Sequence, residues 1–520
     1  MNLFIYDTTL RDGAQTEGIS FSLDDKLKII KKLDEFCIDY IECGWPGSNP
    51  KDMELFKILQ KLDIKYTKIT AFGSTRYKNI RPEEDKNLVA MLEAKPDAVC
   101  IFGKSWDMHV KDALQTTLDE NLAMIYDSVK FLKDNKFEVI YDAEHFFDGY
   151  KANPEYAIKT LEAAQKAGAD FICLCDTNGG LLPYELEPIL VVVKKHINIQ
   201  LGIHTHNDSG MAAANSLMAV KNGIVMVQGT INGYGERCGN ADLTTIIPAA
   251  VIKMDLKTNA KLEMLKEVSY FVSEIANKVP QDNQPYVGYS AFTHKAGIHA
   301  SAVVKNSKTY EHINPEEVGN KRRIIVSELS GKSNVLAKAK ELNIQIDSDE
   351  KLKEILEYIK LQENKGYNYE SAEASLELIL KKATSINSKS FFVLEGFRVI
   401  IEKDVNGEMK SEATIKINVN GIQEHSAAEG DGPVNALDNA LRKALDKFYP
   451  ELKTVSLSDF KVRVIGTGGG TASKVRVLIE SRDLTDEWTT IGVSENIIEA
   501  SWHALVDAVE YKLVKEKISS

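Results

Sequence analysis

The 520-residue sequence lacks the long apolar run that a membrane-spanning helix requires. No stretch of about 18 consecutive apolar residues occurs, and the N-terminus has no signal-peptide pattern. Positive charge is also in short supply, because 64 Lys and Arg residues face 76 Asp and Glu residues, for a net charge of −12. An excess of negative charge disfavours binding to a nucleic-acid backbone. We therefore expect a cytoplasmic protein whose partners are neither nucleic acid nor membrane.

Cysteine is scarce and confined to the first half of the chain. The six cysteines have no C-x-x-C spacing, which argues against a disulfide framework and a structural zinc site; they are Cys37, Cys43, Cys100, Cys173, Cys175 and Cys238. Cys173 and Cys175 stand two apart in a strand-like run and so share one face. We expect both to be packing residues.

A glycine-rich G-x-G-x-x-G segment is absent after the first apolar run, which disfavours a doubly wound open sheet. Up to about residue 230, short apolar runs alternate with amphipathic segments such as 23–33, which has helical spacing and Ser22 as a candidate N-cap. Such alternation is typical of βα units and predicts a (β/α)8 TIM barrel, with the open sheet as the alternative. The eight runs are 3–6, 40–42, 69–72, 98–102, 137–141, 171–175, 200–204 and 225–229.

Three domains are predicted, namely a barrel at 1–275, helical linker subdomains at 276–387 and an α+β domain at 388–520. Prolines at 280 and 285 interrupt the βα rhythm, and 335–361 and 370–383 have helical, charged patterns. The C-terminal domain contains two βββα repeats, which can bury their apolar faces against each other. Its two helix starts, Asp431-Gly432-Pro433 and Ser494, could hold a carboxylate or could simply begin helices.

Polar residues follow the predicted strands at one end of the barrel. Arg11 and Asp12 come after the first strand, although Asp12 could instead cap the next helix. The others are Glu42, Glu144, Thr177, His204, His206 and Asn240. Because the carboxyl ends of barrel strands converge on one mouth, we expect these side chains to lie together.

These residue types predict a catalytic metal site. His204 and His206 project to the same side of a strand, and with Asp12 and the Asn240 amide oxygen they leave open positions on a divalent cation. Such a mixed set suits Zn, Mn, Co, Fe(II) or Mg. A metal with open positions can chelate a 2-oxo acid and make its keto carbon electrophilic, while Arg11 stabilises the oxyanion.

Two further residues are predicted to act on the substrate at this mouth. Thr177 could hold the substrate carboxylate. Glu144 could orient a water or a carbonyl, or could serve only as a salt-bridge partner. The sequence does not decide whether Glu144 acts on the substrate or only forms a salt bridge.

Four motifs resemble those of the acyl-CoA-dependent 2-oxo acid condensing enzymes, the isopropylmalate, homocitrate and citramalate synthases. They are D-x-T-L-R-D-G at 7–13, H-T-H-N-D at 204–208, G-E-R-x-G-N-A at 235–241 and G-I-H at 297–299. Within this family the chain is most similar to the long-type (R)-citramalate synthases at 44–50, 143–149, 175–180 and 497–502. Ala14-Gln15 replaces the Glu-Gln that is common in isopropylmalate synthases.

The resemblance implies condensation of acetyl-CoA with pyruvate to (R)-citramalate and CoA, on a route toward isoleucine. It implies that Asp12, His204, His206 and Asn240 bind the metal, taken as Mn, Zn, Co or Mg. It also assigns substrate contacts to Arg11, Gln15, Glu144 and Thr177, with Phe72 and Phe102 as pocket walls.

The resemblance further implies that His299 and Tyr310 reach the acetyl-CoA from the linker of a partner subunit, in a homodimer or higher homo-oligomer. His299 is our first choice for the base, with substrate binding as its other role. The C-terminal repeats would bind isoleucine or leucine near Asp431, Gly432, Pro433 and Ser494. The alternatives are a synthase for a larger 2-oxo acid, a metal-dependent acyl-CoA lyase and an inactive sensor.

Overall fold

Eight parallel strands close into a barrel in the computed structural model, which describes residues 2–295, 297–326, 332–384, 390–403, 405, 407–465 and 473–519. Each strand pairs with the next one along the chain, and the first pairs with the eighth through four residue pairs from Phe4–Met226 to Asp7–Gly229. The predicted TIM barrel is thereby confirmed. The strands are β1 Phe4–Asp7, β2 Tyr40–Gly44, β3 Lys68–Ser74, β4 Ala98–Lys104, β5 Glu138–Glu144, β6 Phe171–Asp176, β7 Gln200–Thr205 and β8 Met226–Gly229.

The helices between the strands cover the outside of the barrel. The first begins after Ser22, whose side chain accepts the Asp25 N–H while the Asp25 carboxylate accepts the Ser22 N–H. This capping box confirms the predicted cap. None of the helices in the described part of the chain is long and apolar enough to cross a membrane. The helices are α1 Leu23–Phe36, α2 Pro50–Leu59, α3 Lys86–Ala94, α4 Asp107–Asp112, α5 Leu118–Asp134, α6 Phe146–Ala152, α7 Pro154–Ala167, α8 Pro183–His196, α9 Ala212–Lys221, α10 Leu243–Pro248 and α11 Leu265–Ile275.

Aromatic side chains fill part of the barrel interior. Tyr6 stacks on Tyr40 with ring centroids 5.8 Å apart, and Phe171 meets Tyr40 edge-on at 6.3 Å. Cys173 and Cys175 are buried, as predicted for packing residues, and all six cysteines are free in the described chain. A packed interior leaves the carboxyl ends of the strands as the face for chemistry.

The chain divides into two compact units. One contains the barrel up to residue 292 together with 313–322, and the other contains 293–312 and the described residues from 323 onward. The predicted boundaries of three domains stay a prediction. The second unit begins with β9 Thr293–His294, α12 Gly297–Lys305, β10 Arg323–Ile324, α13 Lys332–Glu341, α14 Asp349–Asn364 and α15 Glu373–Thr384. The predicted helical stretch 335–361 is two helices, because Asn343 is left-handed (φ 56°) and Ser348 caps α14.

The end of the chain forms the predicted pair of βββα repeats. Each has a three-stranded antiparallel sheet, and helices and strands of both copies share one hydrophobic core. Gly430 and Gly492 allow close packing, since a Cβ there would lie 2.4 Å from Ala436 N and 1.9 Å from the Ala500 carbonyl oxygen. The elements are β11 Val393–Lys403, β12 Met409–Val419, β13 Ile422–Gly430, α16 Pro433–Leu445, β14 Ser456–Ile465, β15 Lys474–Arg482, β16 Glu487–Ser494 and α17 Ile497–Ser519.

Candidate metal centre and active site

Asp12, His204 and His206 meet at the barrel mouth. The Asp12 Oδ2 atom lies 3.3 Å from His204 Nε2 and 3.9 Å from His206 Nε2, and the two Nε2 atoms are 3.4 Å apart. A cation about 2.1 Å from each atom would separate its ligands by about 3.0 to 3.4 Å at angles of 90 to 109°. The separations of 3.3 and 3.4 Å lie in this range, and the Asp12–His206 separation of 3.9 Å is wider. All three residues are buried, and Asp12 makes no helix-cap hydrogen bond. The arrangement can hold a divalent cation.

Asn240 lies beside His206, to which it is joined by an isolated antiparallel β-bridge. Its Nδ2 donates to the Tyr234 carbonyl at 3.3 Å, but its buried Oδ1 has no hydrogen-bond partner among the described residues. Gly235 makes room for this amide, since a Cβ there would lie 2.1 Å from Asn240 Nδ2. A buried, unsatisfied carbonyl oxygen is costly and is therefore well suited to act as a ligand.

Two residues that the sequence analysis did not single out stand behind His204. His204 Nδ1 lies 2.8 Å from Gln228 Oε1, and Gln228 Nε2 donates to Asp142 Oδ1 at 2.8 Å. Burial raises the pKa of Asp142 to about 6, against the opposing effect of His204, so the carboxyl group is mainly ionised at pH 7. Asp142 precedes Glu144 by two residues in β5, so both side chains lie on one side of the strand. This spacing is the sequence signal that could have identified Asp142 as a site residue.

Arg11 is held as a fixed cation next to this cluster. Its Nε donates to Glu42 Oε1 at 2.6 Å, and Tyr6 donates to the other Glu42 oxygen at 2.6 Å. Its Nη1 lies 3.5 Å from Asp12 Oδ2, and its Cζ lies 3.8 Å from the centroid of the Phe72 ring. Burial lowers the pKa of Arg11, but the carboxylates of Glu42 and Asp12 outweigh it and keep the pKa above its ordinary value.

Two of the three candidate ligands, Asp12 and His206, are held in the deprotonated form that a metal ligand needs. Burial raises the pKa of Asp12, but Arg11 and His204 outweigh burial and bring the pKa well below its usual range. Burial and the neighbouring His204 lower the pKa of His206 to about 4. Burial lowers the pKa of His204, but the hydrogen bond and charge of Asp12 raise it overall. A proton and a cation therefore compete for His204 Nε2.

A cavity of about 230 Å³ opens at this mouth. It is lined by most of the predicted barrel residues, which are Arg11, Asp12, Gln15, Phe72, Phe102, Glu144, Thr177, His204 and His206. It is also lined by residues for which no site role was predicted, which are Trp45, Asp142, Cys175, Glu236 and Arg237. The fold thus gathers side chains from strand ends and loops, from Arg11 to Arg237, into one pocket.

The polar side of the cavity is held by ion pairs and backbone hydrogen bonds. Thr177 Oγ1 accepts the His145 N–H at 2.9 Å, and Arg237 donates to the Thr177 carbonyl at 2.7 Å. Arg237 is itself held by both oxygens of Asp208, at 2.8 and 3.0 Å. Glu144 lies against Lys104. Glu144 therefore lines the cavity and is also an ion-pair partner.

Three aromatic rings form an apolar part of the cavity lining. Phe72 and Phe102 stack with centroids 5.4 Å apart, and Trp45 meets them edge-on at 5.6 and 5.7 Å. The indole N–H of Trp45 donates to Asn87 Oδ1 at 2.5 Å, which fixes the ring. We call Trp45, Phe72 and Phe102 the aromatic wall. It gives the cavity a rigid apolar side beside Arg11.

His299 and Tyr310 belong to the second compact unit, where their rings lie 4.2 Å apart. The structure does not place them among the side chains that line the barrel cavity. Their role toward acetyl-CoA stays a prediction.

Of the four residues predicted near the effector, three lie at the start of α16. Pro433 is its first residue, Gly432 is its N-cap, and the Asp431 N–H donates to Asn435 Oδ1 at 3.1 Å. Ser494 ends β16 and donates to Glu499 at 2.5 Å. The two groups thus stand at the junctions between the third strand and the helix of each repeat, as predicted. Ligand binding there stays a prediction.

Three protein-family models match successive parts of the chain. A model of the HMGL-like family matches residues 2–272. A homocitrate synthase post-HMGL domain-like family matches residues 286–366, and the LeuA allosteric (dimerisation) domain matches residues 370–513.

Three relatives extend over nearly the full length. The (R)-citramalate synthase of Geobacter sulfurreducens is 59% identical over 517 residues, covering 99% of this chain and 98% of its own. The (R)-citramalate synthase of Aquifex aeolicus is 55% identical over 520 residues, with the same shares covered. A 2-isopropylmalate synthase of Methanocaldococcus jannaschii is 32% identical over 524 residues, covering 99% of this chain and 95% of its own. The chain therefore belongs to the HMGL-like family and, within it, to the (R)-citramalate synthases, as its motifs predicted.

Proposed function

We propose that this protein condenses acetyl-CoA with pyruvate to give (R)-citramalate and CoA. A carbon–carbon bond forms between the acetyl methyl carbon and the keto carbon of pyruvate, and water then cleaves the thioester, releasing CoA as its thiol. The observation that carries the proposal is the mouth cavity, which places Asp12, His204 and His206 next to Arg11 and the aromatic wall. It is supported by the identity of 59% and 55% to two (R)-citramalate synthases.

Asp12, His204, His206 and the Oδ1 of Asn240 would hold a divalent cation, taken as Mn, Zn, Co or Mg. The fit is supported by the spacing of the three ligand atoms and by the unsatisfied Asn240 oxygen. When bound, such a cation would polarise the keto group of the 2-oxo acid.

Arg11 stabilises the negative charge that develops on the keto oxygen during bond formation. Its guanidinium is fixed by Glu42 and by the Phe72 ring, so it need not reorganise as the charge appears. Thr177 and Gln15 bind the 2-oxo acid, and Glu144 orients it or a water. Their position around the cavity supports these roles.

The aromatic wall selects a small 2-oxo acid. Three packed rings leave a cavity of about 230 Å³ that must also admit the acetyl end of the thioester. A methyl group fits against such a wall with less displacement than an isopropyl or carboxyethyl group. The wall therefore favours pyruvate over the larger substrates of the alternative function, isopropylmalate or homocitrate synthesis.

His299 takes the methyl proton of acetyl-CoA, with Tyr310 beside it, and both act on the barrel of a partner subunit. The contact between the two rings, whose centroids lie 4.2 Å apart, supports their acting as a pair. The match to the LeuA allosteric (dimerisation) domain supports a homodimer. The same match supports inhibition by isoleucine or leucine bound near Asp431, Gly432, Pro433 and Ser494.

A panel of 2-oxo acids tests the proposed reaction. We expect free thiol to be released from acetyl-CoA with pyruvate at least about tenfold faster, in kcat/KM, than with 2-oxobutyrate, 2-oxoisovalerate or 2-oxoglutarate. The product with pyruvate should be (R)-citramalate by chiral chromatography. Faster release with 2-oxoisovalerate or 2-oxoglutarate than with pyruvate would overturn the proposal in favour of a larger substrate.

Replacing Trp45 tests the aromatic wall. Trp45→Leu should raise the ratio of kcat/KM for 2-oxobutyrate over pyruvate by about tenfold, because the smaller side chain leaves room for one more methylene group. Trp106→Leu is the matched control, since Trp106 stacks on His109 and does not line the cavity. An unchanged ratio in Trp45→Leu would show that the wall does not set substrate size.

Removing a ligand tests the metal centre. Asp12→Ala and His204→Ala should lose both the metal measured by elemental analysis and more than about 99% of the activity, because each provides a ligand atom. Asp34→Asn serves as control, because buried Asp34 only accepts backbone N–H groups of residues 65–67. Full activity in metal-free Asp12→Ala would contradict the proposed site.

Truncation tests the proposed regulation. Removing residues 388–520 should leave part of the catalytic activity and abolish inhibition by isoleucine and leucine, because the effector residues are lost. Inhibition curves with and without the segment provide the measurement. The idea fails if the shortened chain is inhibited as strongly as the full chain.

A further inference from the structure

His204 can bind a cation only through a ring nitrogen that has a free lone pair. Its Nε2 faces Asp12 Oδ2 and His206 Nε2, so Nε2 is the atom at the proposed metal position. The ring proton must then sit on Nδ1. Gln228 Oε1 lies 2.8 Å from Nδ1 and accepts that proton.

Gln228 does not by itself determine this arrangement. A side-chain amide can turn over, and it would then present its NH2 group to His204 Nδ1. His204 would have to accept through Nδ1 and carry its proton on Nε2, where it blocks a cation. Strand register provides only the contact, since His204 of β7 and Gln228 of β8 are Cα partners.

Asp142 removes this ambiguity. A carboxylate has no N–H and can only accept, so Gln228 must turn its NH2 group toward Asp142, as it does at 2.8 Å. Its carbonyl oxygen then necessarily faces His204. Gln228 is fully buried and Asp142 is 4% exposed, so water is poorly placed to substitute for either partner.

A role in orienting Gln228 would explain why a carboxylate is buried at position 142. It lies at the bottom of the mouth cavity, against the buried side chains of Cys100, Cys173 and Cys175. A carboxylate in such a place destabilises the fold unless hydrogen bonds compensate it. An apolar residue would pack there at lower cost.

We infer that Asp142 and Gln228 are positioning residues that keep the His204 proton on Nδ1 and so hold Nε2 ready for the metal. The inference rests on the proposed metal site. Neither residue is assigned a contact with the cation. Asp142 acts through Gln228, and Gln228 acts through His204.

We call the two hydrogen bonds that link Asp142, Gln228 and His204 the relay. Reversing their direction tests it. In Asp142→Asn the new amide can donate as well as accept, so Gln228 is free to turn over. We expect the dissociation constant for Co²⁺, titrated into the metal-free full-length chain and followed by visible absorption, to rise about 10- to 100-fold. In Gln228→Leu no acceptor faces His204 Nδ1, so nothing holds the ring proton on that atom, and Co²⁺ should again bind more weakly.

The double variant Asp142→Asn/Gln228→Glu again has a donor at one position and an acceptor facing His204 at the other. The amide at position 142 donates to the carboxylate at position 228, which accepts from His204 Nδ1, and the total charge is that of the original pair. We expect Co²⁺ affinity within about threefold of the original chain. A merely structural role would not give this rescue, because two packing defects would add.

The outcomes separate the relay from the metal site itself. If the original chain binds no Co²⁺, or Asp12→Ala binds it equally well, the proposed metal site fails. If the original chain binds Co²⁺ and Asp12→Ala does not, equal affinity in Asp142→Asn overturns the relay. If Asp142→Asn does not fold by circular dichroism, the double variant must still bind Co²⁺ more tightly than Gln228→Leu, and equal or weaker binding overturns the relay. Asp34→Asn should leave the affinity unchanged.

Discussion

The candidate site depends on one pairing, the closure of the barrel between its first and eighth strands. Hydrogen bonding from Phe4–Met226 to Asp7–Gly229 brings the loop that carries Arg11 and Asp12 beside the end of the chain's eighth βα unit. The seventh strand pairs with the eighth, which puts His204 next to Gln228. Without this closure the ligand atoms would belong to two distant edges of a sheet. Barrel closure is therefore the condition for the metal centre.

Buried charge is the second constraint. Glu42, Asp12 and Asp142 are buried or nearly so, and each is compensated by hydrogen bonds or an opposite charge. Glu42 fixes Arg11, and Asp12 faces Arg11 and the two imidazoles. Breaking such a buried pair by removing one partner leaves an uncompensated charge. The same contacts that position the catalytic groups therefore also hold the mouth of the barrel together.

The second repeat of the C-terminal part packs against the helices that precede it. Ile491 and Val493 of β16 share a core with Ile355 of α14 and Leu376 of α15. The second repeat therefore buries part of its apolar surface against these helices. Gly430 and Gly492 occupy equivalent positions in the two copies, and at both the strand passes close to the helix backbone. Close strand–helix packing is therefore a property of the repeat itself.

The sequence by itself determined the elements and most of the cavity lining. The alternation of eight apolar runs with helical segments gave the barrel, and the period of two in a strand put His204 and His206 on one side. The place of Gln228 and Trp45 in the site was decided only by tertiary structure, whereas Asp142 shares its strand face with Glu144. Gln228 is one polar residue inside a short strand, and nothing in the sequence near it indicates a role. It contacts His204 only because β8 pairs with β7 in a register that is set when the barrel closes. Local periodicity determines which way a side chain points, but only long-range strand pairing determines what it meets.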